Sequence, residues 1–179
     1  MSKHAIFFDR DGTIIYDLGY INNPECSALI EGVAPTLRLF QSMGFLLVMI
    51  SNQSGIGRGL ITEEDALNVH NKVVLMLRRE NVVLDDFYYC PHKPEDNCAC
   101  RKPSPKMIID ASKNSDIDLQ KSFMIGDKSI DIESGINAGC KTVLLMNNKL
   151  EDTTSIKPDF IARNWWEIAE YIFMESKYE

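Results

Sequence analysis

The chain has 179 residues, of which 45% are hydrophobic and 25% charged, with a formal net charge of −7. This length suits one domain with a well-formed core, so we expect residues 1–179 to fold as a single domain. The acidic balance argues against nucleic acid as a partner. The absence of a membrane-length apolar run or a signal-peptide core predicts a protein that is cytoplasmic and has no membrane partner.

Apolar runs typical of strands alternate along the chain with segments of helical spacing. Strands are predicted at residues 5–8, 45–50, 84–89, 123–125, 141–146 and 159–161. Helices are predicted at residues 33–43, 62–80, 105–114, 130–138 and 165–175, with loops at 51–59 and 90–103. The alternation predicts an α/β fold, a Rossmann-like parallel sheet with helices on both faces. Active sites in such folds lie beyond the carboxyl ends of the strands.

Acidic residues follow two of the predicted strands. Asp9 and Asp11 come directly after the first strand, and Asp127 and Asp131 follow the fourth. Buried carboxylates need a partner or a metal, and several together favour Mg²⁺. Asp9 can attack phosphorus or hold a divalent cation, while Asp11 moves a proton. The alternative to a metal or catalytic role for these aspartates is a helix cap together with a solvated pair on the surface.

Polar groups that suit phosphate follow two further segments. Ser51 ends the second strand, and its hydroxyl with the amide groups of residues 52–54 can grip phosphate oxygens. Arg101 and Lys102 supply cations for a transferring phosphoryl group and for a second phosphate or a hydroxyl pair. The simpler alternatives are a flexible turn for the segment after Ser51, and two solvent-exposed cations for Arg101 and Lys102.

Three cysteines and one histidine lie close together between residues 90 and 100. Cys90, His92, Cys98 and Cys100 supply three thiolates and one imidazole, a closed tetrahedral set for structural Zn²⁺. Their spacing is tighter than that of a zinc finger, so the metal would staple a loop. Free thiols are the alternative.

Taken together, these motifs resemble the haloacid dehalogenase superfamily of phosphotransferases. Asp9-Arg-Asp-Gly-Thr is similar to its first motif, Ser51 to its second, Lys102 to its third and Gly126-Asp127-Lys128-x-x-Asp131 to its fourth. The resemblance implies catalysis by Asp9, Asp11, Ser51 and Lys102. Asp9 would form an aspartyl phosphate, and Asp11 would act as acid and then as base. Mg²⁺ would bind Asp9, the Asp11 carbonyl and Asp127.

Within the superfamily, the Cys/His loop resembles a branch containing heptose bisphosphate phosphatases and histidinol phosphatases. Residues 52–59 are more similar to the heptose enzymes, which implies a small sugar bisphosphate as substrate and a role in lipopolysaccharide precursor synthesis. The ending at Glu179 leaves no room for the dehydratase domain often fused to the histidinol branch. The short Cys/His loop keeps histidinol phosphate as the alternative.

The resemblance also implies the substrate contacts and the openness of the site. The expected contacts are Asp17, Tyr20, Ser51, Asn52, Gln53, Ser54, Arg58, Arg101, Lys102 and Lys128. No insertion is long enough for a large cap domain, so short loops would set specificity.

A non-catalytic receiver domain is disfavoured, because its acceptor aspartate follows the third strand. A zinc-dependent nucleic-acid module conflicts with the net charge, and nothing demands more than a monomer.

Overall fold

The computed structural model describes residues 3–146 and 156–177. Within these residues, the strands are β1 (Ala5–Phe8), β2 (Leu46–Asn52), β3 (Asp86–Cys90), β4 (Phe123–Gly126), β5 (Lys141–Leu145) and β6 (Phe160–Ala162). They form one sheet in the order β3-β2-β1-β4-β5-β6, and every neighbouring pair is parallel. The predicted Rossmann-like α/β fold is confirmed.

Helices connect the strands and cover the sheet. They are α1 (Val33–Ser42), α2 (Ser54–Gly57), α3 (Glu63–Arg79), α4 (Lys106–Ser115), α5 (Ser129–Ala138) and α6 (Trp165–Glu175). Helix α3 begins with a capping box, in which the Thr62 hydroxyl accepts from the Asp65 N–H and the Asp65 carboxylate accepts from the Thr62 N–H. The helix predicted at residues 62–80 is therefore present, and Thr62 caps its first turn.

The central strand β1 explains why helices lie on both faces. Its alternating side chains Ile6 and Phe8 belong to one core cluster, which also contains buried residues of α1, α3 and α6. Ala5 and Phe7 belong to the other, together with buried residues of α4. A strand buried on both sides needs apolar residues at every position, which is the pattern of this segment.

Most predicted boundaries are within two residues of the observed ones, and two differences bear on the site. Strand β2 runs to Asn52, because residues up to that point pair with β3, which itself runs to Cys90. The predicted loop at residues 51–59 contains the helical turn α2. A Cβ atom on Gly57 would lie 2.8 Å from the backbone of Pro91 and Lys93, so this turn packs directly on the Cys/His loop.

The order of the strands places a crevice at the carboxyl end of β1. The chain passes from β1 to β2 on one side, and β4 pairs with β1 on the other. Ligands of open parallel sheets bind at this reversal point. Residues 1–2, 147–155 and 178–179 of the predicted domain lie outside the described residues. Among the described residues, none of the helices has the length and apolarity needed to cross a bilayer.

Candidate active site

The loop after β1 wraps closely around Asp127. Gly12 has φ +90°, and a Cβ atom there would lie 2.2 Å from Asp127 Oδ2, so only glycine fits. The Thr13 hydroxyl donates to Asp127 Oδ1 over 3.2 Å. The first and fourth motifs are therefore in direct contact at the crevice, as the parallel sheet predicted.

Lys102 lies at the floor of the site and is 2% exposed. Its Nζ atom is 2.7 Å from Asp9 Oδ1, from Asp131 Oδ1 and from the Ile50 carbonyl oxygen. Burial acts to lower the pKa of Lys102, but the charges of Asp131 and Asp9 outweigh it and the net shift is upward. The lysine is therefore a permanent cation beside Asp9.

Asp9, Asp127 and Asp131 form a three-carboxylate cluster whose ligand atoms lie within 4.8 Å of one another. Burial, and then the charges of Asp9 and Asp131, raise the pKa of Asp127 to about 7. The negative charges of these close carboxylates repel one another, and a divalent cation bound between them would offset that repulsion. Carboxylate oxygens are ligands that suit Mg²⁺. Both oxygens of Asp131 already accept bonds, from Lys102 and from the Lys128 N–H, so it is the least available ligand.

Asp11 lies beside this cluster and is held by the side chain of Arg10. The Arg10 Nη2 atom lies 2.9 Å from Asp11 Oδ2, and Gln53 Nε2 donates to the same oxygen over 2.9 Å. No role for Arg10 was predicted from the sequence. The available signal was its position between two aspartates, directly after an apolar strand. A guanidinium buried there must be paired.

Residues 51, 52 and 54 have different roles in the site. Ser51 is 1% exposed, and its hydroxyl accepts a bond from Gln53 Nε2 over 2.7 Å. The Asn52 side chain donates to the Lys102 carbonyl and accepts from the Lys102 N–H, both over 3.1 Å, so it holds the lysine. Ser54 lines the cleft.

Gln53, which was predicted to contact phosphate, lines the cleft and is hydrogen-bonded to several groups of the protein itself. Its N–H donates to the Cys90 carbonyl over 2.8 Å, and its side chain is hydrogen-bonded to Arg10, Asp11 and Ser51. These partners engage both the backbone donor and the side-chain amide of Gln53. Its structural role is support for its neighbours.

A cleft of about 390 Å³ opens above these residues. Its lining contains Asp9, Asp11, Asp17, Gly19, Tyr20, Asn52, Gln53, Ser54, Gly55, Arg101, Lys102, Lys128, Ile130 and Asp131. Lys128 Nζ lies 3.1 Å from Asp17 Oδ2. Two cationic side chains, Arg101 and Lys128, thus border a cleft that has Lys102 at its floor.

Arg58 was predicted to contact substrate, but it is not among the residues that line the cleft. Its guanidinium Nη2 atom lies 3.7 Å from Glu95 Oε1, on the Cys/His loop. The helical turn α2 ends just before Arg58 and directs it toward that loop. The contact of Arg58 with substrate stays a prediction, and in this structure its guanidinium faces the Cys/His loop.

Cys90, His92, Cys98 and Cys100 converge into one cluster, as the spacing predicted. Four of the distances between their Sγ and Nδ1 atoms are 3.5, 3.5, 3.6 and 3.5 Å, and Cys90 and Cys100 are 3.2 Å apart. Tetrahedral zinc, with Zn–S of about 2.3 Å and Zn–N of about 2.0 Å, needs ligand atoms about 3.4–3.8 Å apart. The donor set fits zinc, and four of these five distances lie in that range, while the distance between Cys90 and Cys100 is shorter.

The cluster loop is hydrogen-bonded to the cleft at three points. The Cys90 carbonyl accepts from the Gln53 N–H, and the Pro91 carbonyl accepts from the Gly57 N–H over 2.8 Å. The His92 carbonyl accepts from Arg101 Nη1 over 3.3 Å. The loop therefore fixes α2 and Arg101 at the edge of the cleft.

Comparisons with known proteins agree with this chemistry. A family profile described as HAD-hydrolase-like matches residues 99–168. The D-glycero-beta-D-manno-heptose-1,7-bisphosphate 7-phosphatase of Helicobacter pylori (strain ATCC 700392 / 26695) is 43% identical over 152 residues, 84% of this chain and 88% of that protein. The enzyme of the same name from Escherichia coli (strain K12) is 34% identical and covers 98% of this chain and 97% of its own length.

Solved structures share the fold. The D,D-heptose 1.7-bisphosphate phosphatase of B. bronchiseptica, solved with magnesium and phosphate, has a TM-score of 0.88 and 28% identity. The match covers 96% of this chain and 99% of that one. A D,D-heptose 1,7-bisphosphate phosphatase from Burkholderia thailandensis has a TM-score of 0.72 at 20% identity, covering 96% and 99% of the two chains, and supports the fold alone.

Proposed function

Since the chain belongs to the haloacid dehalogenase-like hydrolases, in the family of the D-glycero-beta-D-manno-heptose-1,7-bisphosphate 7-phosphatases, we propose that it hydrolyses the C7 phosphate of that sugar bisphosphate. It is a phosphomonoester hydrolase. Histidinol phosphate, the alternative substrate, is not favoured by the relatives.

One observation carries the proposal. Asp9 and Asp11 lie at the base of a single cleft with Lys102, while Arg101 and Lys128 border the same cleft. This arrangement provides a nucleophile, a proton carrier and a cation for the reacting phosphate. It also leaves cationic side chains for the phosphate that remains on the sugar.

The reaction has two displacement steps. Asp9 attacks phosphorus to form an aspartyl phosphate while the P–O bond to the C7 oxygen breaks, and Asp11 donates a proton to that oxygen. Water then attacks the phosphorus and gives a proton to Asp11, while the bond between phosphorus and the Asp9 oxygen breaks and inorganic phosphate leaves. Asp9 and Asp11 return to their starting protonation states, so one carboxyl group serves as acid and then as base.

Substrate binding and charge stabilisation use the remaining cleft residues. The Lys102 ammonium and the Ser51 hydroxyl stabilise the charge on the transferring phosphoryl oxygens. Arg101 and Lys128 bind the other phosphate. Asp17, Tyr20, Asn52 and Ser54 line the cleft where the sugar would lie, and they remain predicted contacts.

The carboxylate cluster fits magnesium, which Asp9, Asp127 and the Asp11 backbone carbonyl would hold. When bound, Mg²⁺ neutralises charge on the phosphate and on the carboxylates. We propose zinc for the cluster of Cys90, His92, Cys98 and Cys100, with a structural role. Metal analysis of freshly purified protein tests this assignment, which about one zinc per chain would support.

We further propose that the enzyme acts in the cytoplasm as a monomer and supplies a precursor of lipopolysaccharide or another glycoconjugate. The proposed substrate is a small sugar phosphate, and the relatives bear the name of enzymes that act on it. Sedimentation of the purified protein tests the oligomeric state, and a dimer would contradict that part.

The proposed activity is tested by measuring phosphate release with Mg²⁺. The β and α anomers of D-glycero-D-manno-heptose 1,7-bisphosphate are compared with histidinol phosphate. We expect the highest kcat/KM for the β anomer and loss of activity on removal of divalent cations. Faster turnover of histidinol phosphate would overturn the substrate assignment.

The nucleophile is tested with Asp9→Asn. Asparagine has nearly the same shape but cannot form the acyl phosphate, so turnover should vanish while the protein stays folded. Lys106→Met, which alters an exposed residue away from the cleft, serves as the control and should retain activity. Turnover retained by folded Asp9→Asn would exclude Asp9 as nucleophile.

A further inference from the structure

Arg10 lies between Asp9 and Asp11 in the sequence, yet its side chain is 2% exposed. A guanidinium remains charged at any physiological pH, and taking it out of water is costly unless its N–H groups are satisfied. Its partners are the Asp11 carboxylate, the Gln53 side-chain oxygen and the Ala66 carbonyl. Two of these three belong to the active site.

The two carboxylate oxygens of Asp11 accept hydrogen bonds from different sets of donors. Oδ2 accepts from Arg10 Nε over 3.1 Å, from Arg10 Nη2 over 2.9 Å and from Gln53 Nε2 over 2.9 Å. Oδ1 accepts from Arg10 Nε over 3.1 Å. Oδ2 has more donors than it has lone pairs, so a proton on that oxygen would displace one of them. Oδ1 is the oxygen able to carry a proton.

Gln53 extends this arrangement to Ser51. The Gln53 Oε1 atom accepts from Arg10 Nη2 over 3.0 Å. Because arginine has no acceptor, the oxygen of the amide must face Arg10, and the amide nitrogen must face the other way. That nitrogen donates both to Asp11 Oδ2 and to Ser51 Oγ, the latter over 2.7 Å.

This orientation also determines what the Ser51 hydroxyl can do. Its oxygen accepts from Gln53, so its own hydrogen must point away from the amide. The proposed function places a phosphoryl oxygen near Ser51, and the hydroxyl is thereby left to donate to it.

We propose that Arg10 and Gln53 are positioning residues for this reaction. Through their bonds, Asp11 Oδ1 becomes the oxygen that exchanges the proton with the leaving group and with water, and Ser51 is set as a donor. This inference rests on the proposed function. A purely structural role would stabilise the buried charge without favouring one chemical step.

The test uses substrates that differ in their need for a proton. A sugar phosphate has an alcohol leaving group that must be protonated, whereas p-nitrophenyl phosphate releases a stable phenolate. Gln53→Met removes the amide at nearly the same volume, and Arg10→Lys keeps the charge but loses the forked geometry. Gln41→Met makes the same side-chain change at a residue that bonds Val83, and it should leave kinetics unchanged.

We expect kcat on the sugar phosphate to fall about 100-fold in Gln53→Met and in Arg10→Lys, within the range of general acid–base catalysis. The rate of the first-turnover burst of p-nitrophenolate should fall about 10-fold or less. Later turnovers should slow more than the burst, because hydrolysis of the aspartyl phosphate still requires Asp11.

Equal losses on the two substrates, or no loss on either, would overturn the inference. Thermal melting shows whether each variant folds. If Arg10→Lys does not fold, Gln53→Met alone provides the test. Failure of the proposed function has a different signature. In that case Asp9→Asn and the wild-type protein would show the same activity on both esters.

Discussion

Lys102 Nζ lies 2.7 Å from Asp131 Oδ1, and each side chain is 1% exposed. The same ammonium is 2.7 Å from Asp9 Oδ1, so one buried cation serves two carboxylates. Desolvation makes such a pair a poor source of net stability, yet removing one member leaves uncompensated charge. The proposed catalytic lysine is therefore also a requirement for folding around the carboxylate cluster.

Replacing Lys102 by methionine should reduce the free energy of unfolding by about 3–5 kcal/mol in Mg²⁺-free buffer. Asp9 and Asp131 would then face each other and Asp127 without a cation. Urea denaturation measures the change. The control is Lys106→Met, which removes a largely exposed pair with Asp110 and should cost less than about 1 kcal/mol. Equal stability of the two variants would contradict a buried ionised pair.

Gly12 allows a second test, based on its contact with Asp127. Gly12 and Gly44 both have φ +90°, but a Cβ atom would lie 2.2 Å from Asp127 Oδ2 at Gly12 and would meet nothing within 4 Å at Gly44. Alanine at either position carries a left-handed backbone cost of about 1–2 kcal/mol. Only Gly12→Ala should also displace Asp127.

We therefore expect Gly44→Ala to lose stability but keep its Mg²⁺ dependence. Gly12→Ala should lose more stability and need at least about tenfold more Mg²⁺ for half-maximal activity, which is about 1.4 kcal/mol in binding. Titration with Mn²⁺ followed by electron paramagnetic resonance checks binding without turnover. Unchanged Mn²⁺ affinity in Gly12→Ala would argue against Asp127 as a metal ligand.

Much of the fold was predictable because local and tertiary preferences agree. The segment Ala5–Phe8 is apolar at every position and is a strand buried on both faces. Helix α3 begins at a cap formed by Thr62 and Asp65, which are only three residues apart in the sequence. The motifs after β1 and β4 meet because parallel strands end at the same edge of the sheet.

The rest depends on contacts between distant segments. The bond from Arg10 to Gln53 joins residues 43 positions apart, and the Asn52–Lys102 bonds join residues 50 apart. The helical turn α2 contains two glycines, which are poor helix formers, and it packs against the Pro91 carbonyl. Hydrophobic periodicity contains no information about such pairings.

His70 predicts a pH dependence of stability. Its ring stacks on Phe87 with centroids 3.7 Å apart, and its Nδ1 atom is buried without a hydrogen-bond partner. Burial, and then the charge of Arg10, lower the pKa of His70 to about 4 from 6.5. Between these values the unfolded chain binds more protons at this residue, so stability is present above pH 6.5 and is lost as the pH falls toward 4.

The full shift corresponds to about 3 kcal/mol, and partial exposure of the ring reduces the expected loss to about 1–2 kcal/mol. Urea denaturation between pH 4 and pH 7 measures it. Carboxylates titrate in the same range, so the informative quantity is the difference from His70→Phe, which keeps the stack but cannot be protonated. Parallel pH curves for the two proteins would show that His70 does not contribute.

The Cys/His loop should control substrate binding through its three hydrogen bonds to the cleft. Cys98→Ser weakens the proposed zinc site, because a hydroxyl is a poor ligand for zinc compared with a thiolate. The loop would then release Gly57 and Arg101, which are held by the Pro91 and His92 carbonyls. Displacement of a binding group by about 1 Å can cost about 100-fold in rate.

We expect Cys98→Ser to lose bound zinc, melt at lower temperature and lose about 10- to 100-fold in kcat/KM, mainly through a higher KM. KM should be affected more than kcat because Asp9, Asp11 and Lys102 are positioned by β1, Arg10 and Asn52 rather than by the loop alone. Cys26→Ser, at an exposed cysteine outside the cluster, is the matched control. A Cys98→Ser protein without zinc but with wild-type KM would show that the loop does not position the substrate.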